Sequence, residues 1–96
     1  MTRAEVFALI NAERARQHAK WSGSGRWGTG DCSSLRVSPI VKSAVLAEEC
    51  GEVARAVLDG SEELTAELVQ VAAVAVAWLE ALSVPSQDVA RWNVTP

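Results

Sequence analysis

Cysteine and histidine are scarce in this chain, and their scarcity excludes two classes of protein at once. Cys32 and Cys50 stand eighteen positions apart, form no CxxC pair and are joined by one histidine, His18. Neither a disulfide framework nor a zinc site is expected from that set, and a reducing, cytoplasmic home is the simplest expectation. Basic charge is short as well: nine Lys and Arg stand against twelve Asp and Glu, for a net charge of −3. With no basic field to hold a phosphate backbone, polymeric nucleic acid is not an expected partner. A secretory leader is not expected either, because Met1-Thr2-Arg3 runs into an amphipathic pattern with Glu5 and Glu13 instead of an apolar core. The longest apolar run, LVQVAAVAVAWLEAL (68–82), contains Gln70 and Glu80 and falls short of the roughly 20 residues a bilayer needs. No membrane span is expected, and no repeat or β-type alternation is visible.

What remains is helical. At 96 residues, 49% hydrophobic and 22% charged, the chain fits one globular domain over 1–96 whose core would be thin in a lone monomer. Thr2 and Glu5 make a capping box, and Val6, Leu9 and Ile10 continue at helical spacing, which predicts a helix over 3–20. Residues 22–38 (SGSGRWGTGDCSSLRVS) predict a long Gly- and Ser-rich loop of the kind that closes over ligands. Ser38-Pro39 starts a second helix that Gly60 stops after Asp59, and Ser61 is placed to cap a third from about Glu62 to Leu82, ahead of Pro85. Between Leu68 and Leu79 that third helix is apolar nearly all round, which predicts burial on several sides and so a partner chain. The expected fold is all-α, built of helical hairpins and completed by oligomerisation as a homodimer or a dimer of dimers. The tail from Pro85 is expected to hold one short helical turn.

One stretch, AVLAEECGEVARAVLDG (44–60), carries Glu48, Glu49 and Glu52 within a helix that otherwise looks buried. Glu49 and Glu52 lie one turn apart on a common face, and Glu67 and Gln70 repeat that offset on the third helix. If the helices pack antiparallel through Asp59-Gly60-Ser61, three carboxylates and an amide oxygen meet. Unpaired in an apolar bundle, such carboxylates repel and shift toward protonation, whereas a hard divalent cation neutralises them. Magnesium suits the oxygen set, with manganese as an alternative. An iron-carboxylate bundle is a competing metal reading that fits these residues poorly, because neither Glu49 nor Glu67 has a histidine three residues on. The bland alternative is a solvated acidic face.

These residues resemble a known family. AVLAEECGEVARAVLDG followed by ELTAELVQVAAVAVAWLEAL looks like the MazG-like, all-α nucleoside triphosphate pyrophosphohydrolases, whose signature is EExxE followed after a spacer by ExxD. The upstream ERARQHAKW is similar to the Gln-x-x-Lys-Trp opening of small phage and bacterial members, so the likeness runs from about Ala12 to Leu82. It implies Mg²⁺-dependent cleavage of a (d)NTP between the α and β phosphates, as house-cleaning or pool control. It also implies that Glu49, Glu52 and Glu67 are metal ligands. Gln70 stands where the family has aspartate, which raises an alternative: a weakened or inactive helical module that binds a nucleotide or protein. In the enzyme reading, Glu48 or Glu49 orients the attacking water and Lys42 faces the leaving pyrophosphate. Lys20, Arg26 and Arg91 are further cations of that kind. Trp21 and Trp27 are candidates for stacking on a base. Asn11, Arg14 and Gln17 share a face of the first helix that can read base edges, and Trp78 is expected in the core.

Overall fold

A computed structural model describes residues 1–25 and 28–83, apart from the side chains of 24, 25, 28 and 29. Arg26, Trp27, Arg91 and the tail from Pro85 lie outside the described residues. Helix α1 (Arg3–Lys20) starts on the capping box: the Glu5 amide donates to Thr2 Oγ1 at 3.1 Å while the Thr2 amide donates to Glu5 Oε1 at 2.9 Å. Helix α2 (Pro39–Leu58) starts on Ser38, whose hydroxyl accepts from the Val41 amide. Its end is a Schellman turn. Gly60 takes a left-handed φ of 61°, its amide donates to the Val57 carbonyl, and the Ser61 amide donates to the Ala56 carbonyl. Helix α3 (Leu64–Leu82) begins two residues later than predicted. The Ser61 hydroxyl accepts from the Glu63 amide as expected, but it caps a turn through Glu62 and Glu63 that precedes the regular helix.

The domain is all-helical apart from a two-residue ribbon in the loop. There β1 (Ser24–Gly25) pairs antiparallel with β2 (Gly28–Thr29), Ser24 opposite Thr29, a feature the sequence reading did not foresee. Helix α3 is central and packs against both α1 and α2. Its buried line is Ala73, Ala77 and Ala81 at four-residue spacing, with Val74 beside it. Ala56 of α2 and Cys32 and Val37 of the loop complete the buried apolar set. Val45 and Leu46 of α2 pack on the cluster of Cys32, Val74 and Ala77. Methyl-sized side chains at a helix contact let the backbones approach closely, so this core is built on proximity more than on bulk. Trp78, expected in the core, is half-buried.

Much of the apolar surface faces outward. Phe7, Ile40, Leu58, Leu68 and Leu79 are all more than half exposed. Helix α3 is, moreover, long and apolar enough by length and composition to cross a membrane, a test that the core helix of a soluble protein also passes. Only 22% of its most apolar window is buried within the chain.

Candidate functional site

The α2–α3 hairpin brings Glu49 and Glu67 together. Both are partly buried, and each has one carboxylate oxygen, Oε2, that is sealed from solvent with no hydrogen-bond partner. An unsatisfied buried acceptor costs about 1–3 kcal/mol, so two on facing helices are an unusual expense for a small fold. Desolvation raises the pKa of Glu49 above its ordinary value, and the negative charges of Glu67, Glu48, Glu52 and Glu13 push it further. Burial and like charge both disfavour the ionised form. Glu52 is exposed one turn along α2. Among the described residues no group of three or more Asp, Glu, His or Cys is gathered closely enough to hold a metal unaided. The donor set around Glu49 and Glu67 nevertheless fits a divalent cation, because the orphaned oxygens are hard, anionic and unpaired.

A cleft of about 670 Å³ opens beside this pair, within the roughly 300–1,000 Å³ usual for small-ligand sites. Glu48, Glu49, Gln70 and Val74 form its α2–α3 side. Arg16, Gln17, Lys20 and Trp21 face them from the last turn of α1, and Gly30, Asp31 and Cys32 make the loop wall. Gln17 is buried, whereas Trp21 is half exposed with the Lys20 ammonium 5.1 Å from its ring centroid. Arg16, which sequence reasoning missed, pairs with Glu13 one turn earlier, its Nε donating to Glu13 Oε1 at 2.8 Å. The i, i+3 spacing in ERAR was the available signal, but such pairs are common on solvated helix faces. The cleft therefore has acids along one side, with cations and an aromatic ring along the other.

Four predicted site residues do not line the cleft: Glu52, Glu67, Lys42 and Arg14. Lys42 is 3% exposed and is not part of the cleft surface. Desolvation lowers its pKa, opposed by the nearby Cys32 and Asp31, so it is neither a surface lysine nor positioned among the carboxylates. The same burial raises the pKa of the Cys32 thiol, although Lys42 pulls the other way. Arg14 is buried too. Instead of presenting a free edge to a base, it donates from Nη1 to Asp31 Oδ2 at 2.8 Å and from Nε and Nη2 to the two oxygens of Glu80 at 2.7 and 3.2 Å.

The loop wall depends on one backbone position. Gly30 has φ 98°, and a Cβ built there would lie 2.8 Å from the Ser34 Cβ. Left-handed strain and a steric overlap act together, so Gly30→Ala is expected to cost about 1–3 kcal/mol. Thermal unfolding should register this as a fall in Tm of about 4 °C or more. Gly60→Ala, with open space around its Cβ, should fall less. An equal loss at both sites would remove the argument for a tight turn at Gly30.

Fold and cleft together define an all-α hairpin protein whose cleft carries acids on one side and cations on the other. No family model matches the chain, and neither the curated proteins nor the solved structures contain a match to it.

Proposed function

We propose that the chain is a divalent-cation-dependent nucleoside triphosphate pyrophosphohydrolase of MazG-like type, cleaving a (d)NTP between its α and β phosphates. The observation that carries this reading is the pair of sealed, partnerless oxygens on Glu49, which lines a nucleotide-sized cleft, and on Glu67, which does not line it. Glu49 and Glu67 would hold Mg²⁺ or Mn²⁺, with Gln70 contributing an amide oxygen and Glu52 its nearby charge. The cation would supply Lewis-acid polarisation of the phosphates. Glu48, exposed on the cleft surface, is placed to accept the proton of an attacking water. Arg16 and Lys20, on the far side of the cleft from Glu48 and Glu49, would meet the phosphate tail, and Trp21 would offer a stacking surface for the base. Lys42, being buried away from the cleft surface, is a weaker candidate for the leaving group than Arg16.

The exposed apolar residues of α3, Leu68, Val76, Leu79 and Leu82, support assembly with further copies of the chain as a dimer or tetramer. The free cysteines suit a reducing compartment.

Gln70 favours a second reading, a module that binds nucleotide without turnover, because it lines the cleft where the resemblance calls for aspartate. Pyrophosphate release from a panel of dNTPs and NTPs with Mg²⁺ or Mn²⁺ separates the two. Wild type is expected to turn over at least one triphosphate, and Gln70→Asp to lower the Mg²⁺ concentration needed for half-maximal rate. A silent wild type with activity gained in Gln70→Asp would establish the second reading instead.

A further inference from the structure

The loop between α1 and α2 contributes a cleft wall of Gly30, Asp31 and Cys32, and something must hold that wall against the helices. Cys32 is anchored in the apolar cluster with Val74 and Ala77. Asp31, its neighbour, is a buried carboxylate and needs polar partners. Oδ1 accepts from the Ser33 amide at 2.9 Å and from the Ser33 hydroxyl; Oδ2 accepts from Arg14 Nη1 at 2.8 Å, with His18 Nδ1 3.4 Å away. Burial alone would raise the pKa of Asp31, but Ser33 and Arg14 outweigh it and hold the carboxyl below its ordinary value.

Arg14 does more than neutralise Asp31. The rest of its planar fork makes a two-bond pair with Glu80 of α3, so one guanidinium joins α1, the loop and α3. On α1 it lies one turn before Gln17 and two before Trp21, both of which face the cleft. The spacing between the Gln17–Trp21 side and the Gly30–Cys32 wall is therefore set by a bond from Arg14, which stands outside the cleft surface, to Asp31 in the wall.

We infer that Arg14 is a positioning residue for substrate binding: through Asp31 and Glu80 it fixes the loop wall against α1 and α3, so that the cleft is pre-formed before a nucleotide enters. This rests on the nucleotide reading above. The carboxylates of the α2–α3 hairpin take no part in the brace, so its loss should weaken binding while sparing the chemical step.

The test uses the full chain with Asp31→Asn, which removes the charge but keeps an acceptor for Ser33, and Arg14→Lys, which keeps the charge but loses the fork. Both are expected to raise KM for the best triphosphate about ten-fold or more, with kcat within about two-fold of wild type. Hydrogen exchange of the amides of residues 30–34 should quicken about ten-fold or more while α3 is unchanged. A fall in kcat at unchanged KM, unaltered exchange at 30–34 in folded variants, or unfolding of both variants would overturn the inference, the last because Arg14 would then support the whole fold. A wild type that turns over no triphosphate would sink the functional reading alone, and the exchange measurement would still decide the brace.

Discussion

Glu49→Ala and Glu67→Ala are each expected to reduce kcat for pyrophosphate release by about 100-fold or more at saturating Mg²⁺. Altering groups that merely orient a metal's ligands costs about 10–100-fold, so loss of a ligand itself should cost at least as much. The two residues should be equally severe because their buried oxygens are orphaned together, and neither can stand in for the other from a separate helix. Glu52→Ala should lose less, since Glu52 is exposed and acts on the site mainly through its charge. Circular dichroism separates lost chemistry from lost fold. Turnover within roughly three-fold of wild type in both alanine variants would place the reactive centre away from the hairpin.

Stability should depend on pH in the opposite sense to that of an ordinary paired carboxylate. Desolvation first, and then Glu67, Glu48, Glu52 and Glu13, raise the folded-state pKa of Glu49 above 4.5. The native chain therefore binds that proton more tightly than the unfolded chain does, and the resulting penalty is absent below the unfolded pKa and complete above the folded one. Between those limits, stability falls as pH rises. Asp31, Glu5 and Glu13 have lowered pKa values, so the stability they contribute is lost only at more acid pH, leaving Glu49, among the shifted carboxylates, to act in the window above 4.5. At about pH 7.5, Glu49→Gln should raise Tm by about 4 °C, the equivalent of roughly 1 kcal/mol, with a smaller gain at about pH 5. Mg²⁺ at about 100 times its Kd should stabilise wild type by about 2.7 kcal/mol and the glutamine variant much less. A Tm gain that is the same at both pH values would show that Glu49 carries no such penalty.

The parts of this structure that were legible in the sequence are those governed by neighbours along the chain. Thr2 with Glu5, Ser38 with Pro39, and Gly60 each fix a helix end through contacts within a few residues, and all three behave as their local chemistry requires. The approach of Glu49 to Glu67 was also readable, because a three-residue connection leaves a helical hairpin little freedom, but the meeting of three carboxylates expected with Glu52 is not found among the described residues. Arg14 was misread because its partners are Asp31, across a loop, and Glu80, sixty-six residues away; no periodicity reports such a meeting. The burial of Lys42 was not legible for a related reason: it lies near the loop residues Asp31 and Cys32, whose path the glycines leave undetermined in sequence. The ribbon at 24–29 is too short to leave an alternating pattern.

The alanine line of α3 sets the direction in which this chain can change. Ala73, Ala77 and Ala81 sit where the helices meet, all but sealed from solvent, and a larger side chain there would wedge the helices apart. The usual route to a better core, filling gaps with bulkier residues, is closed along that seam. Latitude lies at exposed positions away from both that seam and the assembly face proposed for Leu68, Val76, Leu79 and Leu82, where bulk can be exchanged without disturbing the hairpin. Divergence among descendants of such a chain would therefore be written on its outside, with the small-residue seam passed on nearly intact.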